Sequence, residues 1–413
     1  MALVKKLPDD AVFEILTRSS LETLGRCRSI SKEWNRVTYE STFHQLLCQR
    51  SNIVSGFFIQ SLVNSQLSST FVSLDTDASS TSALSLDFLK VPVQIEAANQ
   101  GLLVCVNQNN RYLVCKPTTK QWVKIPNPKT KYPTASTALL VLKSNPLKYK
   151  IIRFSQAKKP VKRKSEFWRH VRCEIFNSTT WAWKRLKDVI LPCKTFFANK
   201  EDSVVAANGG LHWLLSDNQV FAFYEDAENW EMFSLPPSAV DNGGHKSKPL
   251  LAEYQGRLAV IRSGEEFMDM WVMEDYGRKL WSATRAWNIK KLCGEEIYPS
   301  PLAFHNGDAA LFMAAFDKVM FYNFQEGKSH KIRLQYHPHQ IFKFQSDMEE
   351  VNLERPDRVL KLQAKSEEVN MENHPEDIRG LTKFLLPLKG FKPYLFLLLA
   401  PMLGVLYRCC SDA

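Results

Sequence analysis

A two-part phrase recurs along this chain at intervals of about 45–60 residues, and it restricts the possible folds more than any other feature. Its first part is a glycine turn leading into an apolar strand. It occurs as Asn99-Gln100-Gly101, Asn208-Gly209-Gly210, Tyr254-Gln255-Gly256 and His305-Asn306-Gly307, each followed by a run such as LLVCV or LHWLL. Its second part is an apolar strand, a polar turn and a tryptophan that opens the next strand. Val114 to Trp122, Ile175 to Trp183, Ala222 to Trp230 and Met273 to Trp281 are each eight residues apart. A weaker copy, VMFYNFQEGKSHKIRL, runs to Leu334 without the tryptophan.

Each such unit supplies a few short strands that cannot bury both faces alone, so neighbouring units must stack. Glycine permits the positive φ of a tight turn, and a tryptophan at a fixed offset gives each unit a large packing element. Pro126 and Pro236 stop strands at edges. The spacing predicts a propeller-like all-β domain with five units from Asn99 to about Leu334. A degenerate sixth is expected in Gly56–Gln60 and Thr70–Asp77.

Before the repeats lies a helical stretch, Leu7 to Phe43. Pro8, Asp9 and Asp10 mark a helix start, because proline suits a first turn and acids there favour the helix dipole. Ala11, Val12, Ile15 and Leu16 then form one apolar stripe. Ser19 with Glu22 reads as a capping box opening a second helix through Leu21, Leu24 and Ile30. Ser31 is placed to cap a third helix carrying Trp34 and Val37. Three helices this short bury little core, so the unit is expected to lean on a partner. The chain therefore reads as an α+β multidomain protein, with a small all-α three-helix module before an all-β repeat domain.

The composition, 45% hydrophobic and 23% charged over 413 residues, allows the large part a full core. A formal charge of +11 biases partners toward acidic surfaces. Nine cysteines without a CxxC pair, after a start (MALVKKLPDD) lacking a signal-peptide run, read as reduced thiols of the cytosol or nucleus. The sequon Asn177-Ser178-Thr179 is then unused.

The helical stretch resembles an F-box. Leu7-Pro8-Asp9, Glu14-Ile15-Leu16, Leu21, Leu24, Arg26, Ile30, Lys32, Trp34 and Phe43 fall where that family's pattern places them. Ser19-Ser20 replaces its usual Leu-Pro, and Gly25, Ser31 and Ser41 also depart from it. From Gly56 to Leu353 the chain resembles the F-box-associated, kelch-like domain of plant F-box proteins. PTTKQW (Pro117–Trp122) is its most specific phrase, and Ile341-Phe342 with Gln345-Ser346-Asp347 stands behind the repeats. The resemblance implies an F-box at 1–50 that binds a Skp-type linker protein, and through it a cullin scaffold. It implies a domain at 51–353 that presents a target for ubiquitination. The residues it places at the linker contact are Leu7, Pro8, Ile15, Leu16, Leu21, Leu24, Ile30 and Trp34, some of which must also hold the helices together.

Two stretches stand outside the repeat. Lys158–Lys164 (KKPVKRK) reads as a solvated inter-strand loop, with nuclear import or an acidic partner as its functional alternatives. No nucleic-acid-binding motif accompanies it. A charged linker at 354–383 leads to an apolar tail at 384–413. There Tyr394 to Tyr407 either packs on the domain or dips into a membrane beside Arg408 and Cys409-Cys410. Packing is the reading adopted, with nucleus and cytoplasm as the expected location.

No catalytic constellation holds in the sequence. GxSxG, HExxH and Walker A loops are absent, since Asn242–Ser247 has the wrong glycine spacing. His337-Pro338-His339 reads as loop histidines instead of a metal site. His212 and Trp213 read as blade packing, and Glu265-Glu266 and Glu295-Glu296 as turn acids. The expectation is a non-catalytic substrate receptor without cofactor or metal. The alternative is a propeller enzyme or ligand-binding protein with a vestigial F-box, whose site would be assembled from several blades.

Overall fold

Six antiparallel sheets, arranged as the blades of a propeller, make up the body of the chain. The computed structural model describes residues 9–38, 43, 46–47, 50, 53–63, 66–73, 84–144, 146–156, 161–163, 166–197, 204–240, 248–264, 267–288, 300–305, 309–315, 318–323 and 328–355. Expectations for Leu7, Pro8 and the tail from Pro356 lie outside them. So do those for Asp241–Ser247, Glu265-Glu266, Glu295-Glu296 and most of the run Lys158–Lys164.

Blades 2 to 6 are successive stretches of chain: 93–124, 134–192, 205–234, 250–288 and 300–333. Blade 1 is assembled from both ends of the domain. Its inner strand Pro338–Ser346 pairs with Val54–Val63, which pairs with Gln66–Ser73. The sixth unit expected near Gly56 is therefore real, but it is incomplete without the residues around Ile341-Phe342. Joining the chain ends in one blade closes the ring and leaves no open sheet edge at the seam.

The core follows from this stacking. Six apolar clusters are each shared by two neighbouring blades, as where Leu102, Val104 and Val114 of blade 2 meet Ile151, Phe176 and Trp183 of blade 3. Inside a blade the recurring phrase sets local geometry. Gln100-Gly101, Asn208-Gly209 and Gln255-Gly256 all have positive φ, as a two-residue turn between twisted strands requires. The residue two before each tryptophan (Lys120, Trp181, Glu228, Lys279) also has positive φ, and each tryptophan is the second residue of its blade's fourth strand.

Gly101 is less replaceable than Gly209. With φ at +79°, an added Cβ would also lie 2.9 Å from the Ser346 Cβ. Gly101→Val is expected to cost about 1–3 kcal/mol in urea melts. Gly209→Val, with φ at +75° and open space around it, should cost less. Equal costs would show that the contact with the closing strand carries no weight.

Among the described residues α1 (Asp9–Leu16), α2 (Leu21–Ile30) and α3 (Lys32–Val37) precede the blades, and Phe43, Leu47 and Arg50 behind them are helical as well. Leu16, Leu24, Phe43, Leu47 and Ile53 form their buried core, and Phe13 meets Phe43 edge-on at 5.4 Å. Ser31 caps α3 as expected, accepting from the Trp34 N–H. The capping box at Ser19 does not form as read. Ser19 closes α1, donating its hydroxyl to the Ile15 carbonyl, and Ser20 caps α2 by accepting from the Thr23 N–H. The helix needs a cap immediately before Leu21, and only Ser20 stands there. Ser20 thus supplies by hydrogen bond what a Leu-Pro turn would supply by geometry.

The pairings also order the two ends of the propeller. The chain enters blade 1 at Val54, opposite Ser346, which packs against the Gly101 turn. At this same end the Asn208 N–H reaches the Gly256 carbonyl, joining the turns of blades 4 and 5. Connections between second and third strands lie at the other end. There blade 3 differs from its neighbours. Its third strand, Glu166–Asn177, overshoots the blade and is flanked by Val161–Arg163 and Val189–Pro192. Part of the basic run expected as a loop is thus a paired strand.

Candidate functional site

The helical module divides its apolar residues between inside and outside. Leu16 and Leu24 are buried in its core, while Leu21 and Trp34 are half-buried against it. Ile15 and Ile30 stand 55% and 75% exposed. The single stripe expected along α1 is therefore split: Val12, Phe13 and Leu16 turn inward and Ile15 outward. The helices are tied by Arg28, which donates to the Thr38 hydroxyl (2.9 Å) and carbonyl (3.1 Å). Arg50 donates to Glu14 (2.9 Å) and the Thr17 hydroxyl (2.7 Å). The structural importance of Phe13, Arg28 and Arg50 was not read from the sequence. Such residues lack periodicity as a signal and show their partners only once the helices pack.

One face of α2 lines a cavity of about 280 Å³ at the propeller axis. Leu21, Gly25 and Arg28 share its lining with inner-strand residues that include Glu96, Glu253 and Lys343. Leu21 thus sits on the propeller side of the module. In the cavity wall, Thr137 donates to Glu96 (3.1 Å), and Lys343 lies 3.4 Å from Glu253. Among the described residues no group of three His, Cys, Asp or Glu is placed to hold a metal ion.

Among the described residues a dense titratable cluster lies between blades 4 and 5. His212 is fully buried, and its Nδ1 faces the Val205 carbonyl at 3.2 Å. That carbonyl can only accept, so Nδ1 carries the proton and Nε2 accepts from the Tyr276 hydroxyl at 2.6 Å. The Tyr276 and Tyr224 oxygens are 2.6 Å apart, Tyr224 donates to Glu231, and Lys279 donates to the same carboxylate at 2.5 Å. Lys279 also lies over the Tyr276 ring at 3.8 Å. The arrangement ties two blades together, and His212 and Trp213 pack as the sequence suggested.

Burial pushes the His212 pKa down to about 4. An unfolded histidine takes up its proton near pH 6.5, so the stability from this site is fully present above about pH 6.5 and is lost as pH falls toward 4. The melting midpoint should drop across that window in calorimetry, and less steeply in His212→Gln. Parallel pH profiles for the two proteins would remove His212 as the source.

His337 and His339 are exposed, the latter in the inner strand of blade 1. Among the described residues no helix is long and apolar enough to cross a membrane.

Comparison with known proteins places both parts in families. Residues 5–45 match the F-box domain, and residues 58–356 match the F-box associated beta propeller domain. F-box protein At5g49610 of Arabidopsis thaliana is 26% identical over 76% of this chain and 88% of its own length. F-box protein At5g41720 of the same plant is 36% identical over 38% of this chain and 89% of its own length. F-box protein CPR1, also of Arabidopsis thaliana, is 22% identical over 79% of this chain and 84% of its own. The chain belongs to the F-box proteins that carry an F-box associated β-propeller domain.

Proposed function

We propose that this protein is a substrate-recognition adaptor of an SCF-type (Skp–cullin–F-box) ubiquitin ligase. The F-box binds a Skp-type linker and, through it, a cullin scaffold, while the propeller holds the target. One observation carries the reading. In an F-box whose core is closed by Leu16, Leu24 and Phe43, two isoleucines, Ile15 and Ile30, remain outside. Exposed apolar side chains on so small a module suit a partner surface. The protein takes no part in ligation chemistry, which belongs to the other subunits, and it needs no cofactor.

The test is reconstitution of the full chain with a purified Skp-type linker and cullin. Co-elution of a stoichiometric complex by size exclusion is the expected result, and separate elution would overturn the adaptor reading. The working boundaries are 1–50, 51–353, 354–383 and 384–413. For location we propose nucleus and cytosol, with the tail 384–413 serving solubility. Deleting it should leave fractionation unchanged, whereas carbonate-resistant pelleting lost on deletion would assign it to a membrane.

A further inference from the structure

We propose that the extension of blade 3 is the docking surface for the target. It receives an extended segment carrying aspartate or glutamate beside an aromatic or aliphatic anchor. This inference rests on the adaptor reading above and deepens it.

The surface begins with two phenylalanines held outside the core. Phe167 is 51% exposed and Phe196 is 44% exposed. Neither hangs on a loose loop. Phe167 pairs with Lys162 on one side, and on the other its carbonyl accepts from the Cys193 N–H at 2.8 Å. The Phe196 N–H is held by the Ser216 hydroxyl at 3.1 Å, and its carbonyl accepts from the Ser216 N–H at 2.9 Å. Blade 4 thus anchors the backbone that presents Phe196. Rigid exposed aromatics lose little entropy on binding and are frequent anchors of protein interfaces.

Charge gives the sign of the partner. Residues directly opposite on paired antiparallel strands share a face, so Lys162 stands beside Phe167, and Arg169 lies two residues further along that face. Lys194 is exposed between Cys193 and Phe196. Over residues 161–163 and 166–171 of the two paired strands, Lys162, Arg163 and Arg169 stand against one acid, Glu166. Nearby Asp217 is occupied by the Thr195 hydroxyl (3.0 Å) and the Gln219 N–H (3.3 Å). A basic, aromatic surface of this kind favours an acidic segment with an apolar anchor.

Shape favours a strand-like guest. Among the described residues Val161–Arg163 pairs only with Glu166–Trp168, so its other edge presents main-chain donors and acceptors to an extended peptide. Position is consistent with the role. The extension lies at the end of the propeller opposite the chain's entry from the F-box, so a target there does not compete with the linker.

A random-peptide display library selected on the full-length protein tests this. Selected peptides should be enriched in Asp or Glu beside Phe, Leu or Val, and their affinity should fall with salt. Phe167→Ser with Phe196→Ser should weaken them at least tenfold, and Lys162→Glu with Lys194→Glu should weaken them and flatten the salt dependence. Trp122→Ser with Lys124→Glu, the same chemistry on an exposed pair of blade 2, should leave them unchanged. Recovery of no binders, of basic or uncharged peptides, or of peptides indifferent to the blade 3 variants would overturn the proposal. So would a single-stranded oligonucleotide that binds this surface in place of acidic peptides. Each variant is also run through the linker co-elution above. Capture that persists when peptide binding is lost separates this site from the adaptor reading, which fails only if the wild-type protein captures no linker.

Discussion

Ile15→Asp combined with Ile30→Asp is expected to abolish capture of a Skp-type linker while leaving the protein folded. Both side chains already face solvent, so charging them removes nothing from the core of Leu16, Leu24, Phe43, Leu47 and Ile53. Burying an isoleucine at an interface contributes roughly 1.5–3 kcal/mol. Losing two therefore weakens binding by about two to four orders of magnitude. Leu16→Asp should also abolish capture, but for another reason: a carboxylate in that core melts the module. Circular dichroism of the helices with calorimetry against the linker separates the two mechanisms. Wild-type affinity in the double isoleucine variant would show that the linker uses a different face.

Glu174→Ala should be among the most destabilising single substitutions in the propeller, at about 3–5 kcal/mol. Its carboxylate is fully buried and accepts from Arg153 (2.8 Å), the Thr130 hydroxyl (2.6 Å) and the Thr130 N–H (3.1 Å). Arg153 is itself buried and holds the loop between blades 2 and 3 through Thr134 (2.9 Å) and the Tyr132 carbonyl (2.5 Å). Removing the acid leaves a buried guanidinium without its counter-charge. Arg153→Met with Glu174→Leu removes both charges together and is expected to cost much less in urea denaturation. If the double variant is as unstable as Glu174→Ala, the cost lies in lost loop contacts, not in the uncompensated charge.

Most of the strand architecture was legible because its determinants are local. A turn whose residues must take positive φ announces itself by glycine or asparagine, as at Gln100-Gly101 and Asn208-Gly209. Period-two apolar runs mark the strands on either side. The Ser31 cap is likewise set within four residues. The candidate site was only half legible. The F-box pattern marked Ile15 and Leu16 together, and nothing in the pattern says that one faces solvent and the other the core. The extension of blade 3 gave only a basic run. The exposure of Phe167 depends on a pairing with Val189–Pro192 across about twenty residues as well as on its local hairpin, and that of Phe196 on Ser216 of the next blade.

The sequence alone thus determined the hairpins, their turns, the helical start and the family. Tertiary structure decided where equivalent residues end up. Trp183, Trp230 and Trp281 occupy the same place in the repeat and pack into the contact with the preceding blade, whereas Trp122 is 43% exposed. The blade before it is the closing one, with three strands among the described residues, formed by pairing Val54–Val63 with Pro338–Ser346. A local phrase fixes what a residue can do within its own hairpin. Whether the residue is buried depends on what the neighbouring blade brings to meet it, and here that blade comes from opposite ends of the domain.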